Sequence, residues 1–405
     1  AVGIAGITIS YPITLVLMAI SLMIGVGGAT RFSISLGMKK KDHAAIYQGN
    51  AIILTVIFGI IFTIFGNIFI NPILEILGSS KQVLPYASDY LSIILFGAVF
   101  QCIAICGNNF SRAQGNPKNA MISQLIGAGF NILFDYILIM KMNMGMQGAA
   151  IATIGGQFLS MIWQLCYLCS NRSLIKLDLE HLRLKAKYSI DIIKTGIPAF
   201  LMQMANSILN FILNSSLGKY GGDIAISTVG IITSFQTICQ MPLTGLMQGQ
   251  QPLISYNYGA NRPGRVRKAG VVMGCLILGY TAIMWTLIIV APHFLIQIFS
   301  SDSALIADAV PALKLYFAAF IFMDLQYIGQ TFFKSLNKKK HAIFFSLLRK
   351  VVIVVPLTYI FPYLFNMGSN GVFLAEPISN VIGGSMCFIT MLCTILPELK
   401  RMENK

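Results

Sequence analysis

Long runs of apolar residues alternate with short polar segments along the whole chain. Eleven such runs stand out, at 5–30, 46–70, 86–111, 120–140, 147–169, 192–216, 224–254, 270–299, 306–333, 342–365 and 371–396. Each has about the 20 residues that a helix needs to cross a hydrocarbon core about 30 Å thick. Lipid satisfies no backbone hydrogen bond, so runs of this length must be helices. Several exceed about 25 residues, which predicts tilt or interfacial ends. Pro12, Pro198, Pro242, Pro252, Pro356 and Pro377 fall inside spans or near their ends and predict broken helices.

Composition agrees with that pattern. Hydrophobic residues make up 56% of the 405 positions and charged residues 11%, against roughly a quarter charged in a soluble domain. The net charge of +15 raises the question of nucleic acid, but its distribution answers it. One set of alternate loops holds Lys39–Lys41, Arg112, Lys118, Arg172, Lys176, Arg183, Lys185, Lys187, Lys194, Arg262, Arg265, Arg267, Lys268, Lys334, Lys338–Lys340, Arg349, Lys350, Lys400, Arg401 and Lys405, 24 of the 29 Lys and Arg. The opposite loops hold Lys81, Lys141, Lys219 and Lys314, and Arg31 lies in the first span. Such asymmetry marks cytoplasmic loops. The sequence therefore predicts a multi-pass protein of the cytoplasmic membrane with its C-terminus inside and no nucleic-acid partner. Of the eight Cys, Cys166 and Cys169 form a CxxC at a span end. With no second pair and no nearby His cluster, they predict no metal or redox centre.

The chain also repeats itself. Arg112-Ala113 and Ala120 match Lys334-Ser335 and Ala342 at an offset of 222, Gly148 matches Gly371, and Gly49 matches Gly270. Val2-Gly3-Ile4 matches Val229-Gly230-Ile231. The second half holds six runs and the first half five, so the repeat predicts one further helix upstream. With six helices per half, the halves share one orientation and are related by an axis along the membrane normal. This gives an all-α integral membrane fold of two pseudo-symmetric six-helix bundles. The expected N-terminal lobe is 1–170, followed by a basic linker at 171–191, a C-terminal lobe at 192–397 and a cytoplasmic tail at 398–405.

Several segments resemble the multidrug and toxic compound extrusion (MATE) family, close to its MepA-like bacterial branch. They are Val2–Gly6 running into Gly25–Ala29, Phe110–Gly115, Asn131–Asp135, Gly145–Ala150 and Thr195–Pro198. The resemblance implies a V-shaped pair of bundles that exports amphipathic, often cationic compounds against inward H⁺ or Na⁺ flow.

Ionisable side chains inside a bilayer cost at least about 2.5 kcal/mol, so each is a functional candidate. Among the 14 acids, only Asp135, Asp324 and Glu376 lie within spans away from the ends. Asn131 lies one turn before Asp135 on the same face. A loop centred near residue 144 predicts that Thr153 meets Asp135 and that Gln157 meets Asn131. A carboxylate, an amide and a hydroxyl together suit a proton or small cation. The resemblance implies a cation site in the N-terminal lobe built on such an Asn–Asp–Thr set, completed by an Asp on the upstream helix. It also places Asp324 at the acid of a C-terminal sodium site in some relatives. There Asn206 and Phe320 depart from the expected Glu and Tyr, which favours coupling in the N-terminal lobe and leaves Asp324 to attract cationic substrate. Gln203, Asn206, Asn210 and Asn214 form a polar stripe, which belongs against protein or a water-filled cavity. With Asp324, Phe320, Tyr327 and Glu376, residues Gln203, Asn206 and Asn210 are the expected substrate contacts, Glu376 lying towards the outer interface.

No HExxH, GxSxG or GxxxxGK[ST] motif is present, and the four His (43, 181, 293, 341) lie in loops or at span ends. Intramembrane catalysis and ATP-driven pumping thus lack their usual signatures. The expected function is secondary antiport of a small drug-like molecule against H⁺ or Na⁺, with no cofactor, by a monomer among membrane lipids. The alternative is a lipid-intermediate flippase, which calls for a strongly cationic cavity, or an exporter of another small metabolite, with the same two-lobe architecture. Here Arg31 is the main expected intramembrane cation.

Overall fold

The computed structural model describes residues 2–299, 302–364 and 367–404. Within its helices, the side chains of 2–5, 179, 210, 211, 213–226, 303, 304, 364 and 369 lie outside the described ones. The described residues are helices joined mostly by short turns, with a longer, largely non-helical connection at 169–185. In chain order they are α1 (Val2–Gly37), α2 (Lys41–Ile68), α3 (Ile70–Ile76), α4 (Leu84–Phe96), α5 (Ala98–Ala113), α6 (Pro117–Asp135), α7 (Gly145–Leu168) and α8 (Ala186–Gly259). They continue as α9 (Pro263–Val290), α10 (Pro292–Gln297), α11 (Ser303–Tyr316), α12 (Phe320–Ser335), α13 (Lys339–Leu347), α14 (Val355–Leu364), α15 (Gly368–Ser379) and α16 (Ser385–Glu403). Wide π-type turns extend three of the spans, at Tyr136–Lys141, Leu348–Val354 and Asn380–Gly384.

Among the described residues, seven helical runs are long and apolar enough to cross a membrane, and two bent pairs bring the number to nine. The two remaining expected spans both fall in α8, which is helical from Ala186 to Gly259 without the break expected at 217–223. Glycines at 218, 221 and 222 permit a turn without forcing one. The first five expected spans coincide with α1, α2, the α4–α5 pair, α6 with its π extension, and α7.

The breaks do not fall where proline predicts them. Pro12 and Pro377 sit within continuous helices. The sharp bends are 49° between α4 and α5 and 47° between α11 and α12. At the first, a side chain on Gly97 would strike Ile154 of α7, so the bend lets the helix pass close to its neighbour. At the second, Phe317 packs edge-on against Phe320, with ring centroids 5.0 Å apart. Pro356 acts more gently. It lacks the N–H that would bond back to residue 352, and the wide turns of Leu348–Val354 take up that gap.

By contacts the chain divides into two compact units, Ala1–Met204 and Ala205–Lys405. Their internal plans coincide. Helices α2 and α9 begin at Lys41 and Pro263 and end at Ile68 and Val290, and α5 and α12 begin at Ala98 and Phe320 and end at Ala113 and Ser335, each 222 residues apart. Left-handed residues recur with them, Lys39 with Asn261 and Gly115 with Asn337, while Gly145 and Gly368 are 223 apart. The repeat read from a few matching residues is thus a repeat of helix ends and turn conformations. In unit 1, the segment after α7 is held rather than loose. Gln114 accepts from the Ser173 hydroxyl (2.6 Å) and the Leu174 amide (2.9 Å), and Asn50 accepts from the Lys185 amide (2.7 Å).

Candidate coupling and substrate sites

The hairpin of α6 and α7 carries the first candidate set. Small residues draw the two helices together. A side chain on Gly156 would strike the Gly127 carbonyl oxygen, and one on Gly127 would strike Ser160. The hydroxyls of Ser160 and Ser123 donate to each other's carbonyl oxygens at 2.9 and 3.2 Å. This close contact sets the register. The Asn131 amide donates to the Thr153 hydroxyl at 3.4 Å, and Thr153 donates to the Ala149 carbonyl at 2.9 Å. The expected partners were Asp135 for Thr153 and Gln157 for Asn131, so the observed pairing differs by about one turn. The π turns of Tyr136–Lys141 move the connection towards residue 142, and the loop-centred count did not allow for that shift.

Asp135 is half-buried at the end of α6. Its Oδ1 and the Oε1 of Gln157 are buried and have no hydrogen-bond partner among the described residues. Tyr90 of α4, not foreseen from the sequence, lies within electrostatic reach of Asp135. Asn131, Thr153 and Gln157 are half-buried like Asp135. The hairpin therefore gathers a carboxylate, two amides and a hydroxyl on adjacent turns, with acceptor oxygens left over for a proton or cation.

Unit 2 holds the other acids. Asp324 is fully buried in α12, and neither of its carboxylate oxygens has a hydrogen-bond partner among the described residues. Thr281 of α9 sits beside it. Phe320 and Tyr327, one turn to either side, are 2% and 3% exposed, so these expected substrate contacts lie in the unit's interior. In α8, Gln203 of unit 1 and Asn206 of unit 2 are half-buried, and the side chains of Asn210 and Asn214 lie outside the described residues. Further along α8, Gln236 accepts from the Tyr316 hydroxyl at 3.0 Å.

Glu376 is 1% exposed, so it does not snorkel towards an interface. Its Oε1 accepts from Arg349 at 2.9 Å and from Lys350 at 3.0 Å, and Arg349 also donates to Asn380. A side chain on Gly383 would occupy the space of the Arg349 stem, so this glycine makes room for the pair. Arg349 and Lys350 are 2% and 8% exposed. They belong inside a span and not to the basic loops, which corrects the charge count and the view of Arg31 as the main intramembrane cation. The signal was present in the sequence, since both residues lie seven or eight positions inside the run 342–365. Tyr327 lies within electrostatic reach of Asp324, Arg349 and Glu376 together.

Comparison with known proteins follows the same outline. A family model described as MatE matches residues 1–137 and 198–360. The chain is 28% identical to the "Multidrug export protein MepA" of Staphylococcus haemolyticus over 364 residues, covering 90% of this chain and 80% of that one. It is 26% identical to the protein of the same name from Staphylococcus aureus over 394 residues, covering 97% and 85%. Among solved structures, a MATE in complex with MaL6 superposes with a TM-score of 0.94 at 20% identity, covering 100% of this chain and 90% of that one. An outward-facing MATE family transporter of the MOP superfamily gives 0.91 at 21% identity, covering 98% and 88%. The fold is therefore that of these two-lobe structures. With the family model matched across both halves of the repeat, the chain belongs to the MatE family.

Proposed function

We propose that the protein is a secondary active antiporter that exports amphipathic, cationic drug-like molecules in exchange for H⁺ or Na⁺. One observation carries this reading beyond family membership. Each unit holds a carboxylate in a membrane-crossing helix, Asp135 or Asp324, with at least one buried oxygen that has no hydrogen-bond partner among the described residues. A bare carboxylate is costly in that setting. Taking up a proton or cation removes the cost, which gives the ion a differential affinity for the state in which the acid is enclosed. Asp135, with Asn131, Thr153 and Gln157, is assigned the coupling role. Asp324 is assigned the attraction of cationic substrate, and Gln203, Asn206 and Asn210 are assigned as substrate contacts. The cytoplasmic-membrane location, the inward-facing C-terminus and monomeric operation belong to the same proposal.

Reconstituted protein tests it. Efflux of a cationic dye is followed under an imposed pH gradient and then an imposed Na⁺ gradient, with Asp135→Asn and Asp324→Asn alongside. Dye movement driven by one gradient and abolished by Asp135→Asn is the expected result. Coupling that survives Asp135→Asn and is lost in Asp324→Asn would move the ion to unit 2.

Flipping of an anionic lipid intermediate gains support from the two buried cations at 349 and 350. Glu376 and Asn380 take up both, however, and neither cation is exposed to a ligand. Failure of dye movement under both gradients would favour that reading.

A further inference from the structure

A basic cleft in unit 1, distinct from the α6–α7 hairpin, has a volume of about 590 Å³. Its lining comes from three helices: Arg31 of α1, His43 and Tyr47 of α2, and Lys187, Tyr188, Ile190, Asp191 and Lys194 of α8. The first two turns of α8 set Lys187, Ile190, Asp191 and Lys194 three or four residues apart, so they share one face. His43 and Tyr47 face them by the same spacing on α2.

The walls are preformed. Side chains on Gly27 or Gly196 would strike the backbone of Ile192 or Met23, so α1 and the start of α8 are in backbone contact. Asn50 holds Lys185 and the Ser189 hydroxyl (3.2 Å). Tyr188 packs edge-on against Tyr47, with centroids 4.8 Å apart, and its hydroxyl meets His43 Nδ1 at 3.0 Å.

Asp191 is the one carboxylate in the lining, and its charge is already engaged. It pairs with Arg31 and accepts from the Tyr47 hydroxyl at 2.8 Å. Lys187 and Lys194 remain exposed, with no ion-pair partner among the described residues. The cleft therefore presents two free ammonium groups from one rigid face. It lies in the last two turns of α1 and the first two turns of α2 and α8. Ile190, 51% exposed, gives its rim an apolar edge.

We propose that this cleft binds a phosphate anion, of the kind carried by a phospholipid head group or by a soluble phosphate ester. Ammonium groups bind phosphate as point charges without needing a bidentate geometry. A basic residue near an anionic membrane surface adds a further increment of attraction for each charge. The apolar rim beside the cations fits a ligand whose phosphate is tethered to acyl chains.

The test titrates the purified protein with dioctanoyl phosphatidylglycerol and, separately, with glycerol phosphate, and reads bound ligand by native mass spectrometry. Lys187→Gln/Lys194→Gln removes the two free cations. Lys39→Gln/Lys40→Gln removes the same charge from a neighbouring loop outside the cleft. The expected result is an affinity roughly tenfold or more weaker in the first variant and within about twofold of wild type in the second, with Lys187→Arg/Lys194→Arg retaining binding. Preference for the lipid assigns the site to a head group, and equal binding of glycerol phosphate assigns it to a soluble ester. Unchanged binding in Lys187→Gln/Lys194→Gln, or equal losses in both Gln variants, would overturn the proposal.

Discussion

Among single residues, Glu376 carries the largest structural consequence. It sits between Arg349 and Lys350 at full burial, so neutralising it leaves two cations without their counter-charge. Removing one partner of a buried pair costs about 3–5 kcal/mol, whereas replacing all partners by apolar groups is often neutral. Glu376→Gln should therefore lower the thermal midpoint of the purified protein sharply, and Arg349→Met/Lys350→Met/Glu376→Met should recover most of that loss. If the triple variant is no better than the single one, the cluster is more than a compensated burial. Asn131 offers the opposite case. Its bond to Thr153 is long, at 3.4 Å, and interhelical hydrogen bonds in membranes average about 0.6 kcal/mol. Asn131→Ala should leave the thermal midpoint nearly unchanged, so a loss of ion-driven transport in that variant would report on coupling and not on folding. Asp135, Asp324 and Glu376 stood out in the sequence because acids are rare in apolar runs. The charge state that each one needs was not visible there, because Glu376 acquires two cations only through packing of α15 against the π segment of Leu348–Val354.

At the scale of elements, glycine position matters more than proline. The α6–α7 hairpin contains two contrasting glycines. Gly156 faces the Gly127 backbone, and a methyl group on Gly129 would meet nothing within 4 Å. Gly156→Ala must separate the helices and is expected to destabilise by about 1–3 kcal/mol, as overpacking does. Gly129→Ala should be neutral or stabilise by up to about 1 kcal/mol, because alanine is the better helix former. Thermal unfolding of the two variants side by side distinguishes them, and equal effects would contradict the close hairpin contact. The same contact explains why Thr153 reaches Asn131 one turn away from its expected partner. Helical periodicity places polar residues on a face, but it carries no information on which turn of the neighbouring helix that face will meet.

For the molecule as a whole, the two units repeat one plan from helix ends to left-handed turn residues. That parity makes a topological prediction. Loops at 38–40, 260–262 and 336–338 should open to one side of the membrane, and those at 77–83 and 142–144 to the other. Cysteines placed at Lys40, Lys338, Ser80 and Met142 test it with an impermeant maleimide on intact cells, once the exposed Cys166, Cys169, Cys275 and Cys393 are replaced by Ser. The Ser80 and Met142 positions should label and the Lys40 and Lys338 positions should not. Labelling of Lys40 from outside would invert the assigned orientation.

Hydrophobic run length and loop charge by themselves determined the all-α membrane class and most span positions. These follow from the thickness and dielectric of the bilayer, which act on each segment separately. Tertiary structure alone decided that Gly97 and Phe317–Ala319, not the prolines, bend the spans. It also decided that Asn131 meets Thr153, that Arg349 and Lys350 enclose Glu376, and that α8 closes a basic cleft with α1 and α2. Each of these depends on how side chains and backbones of different helices meet, which no single segment specifies.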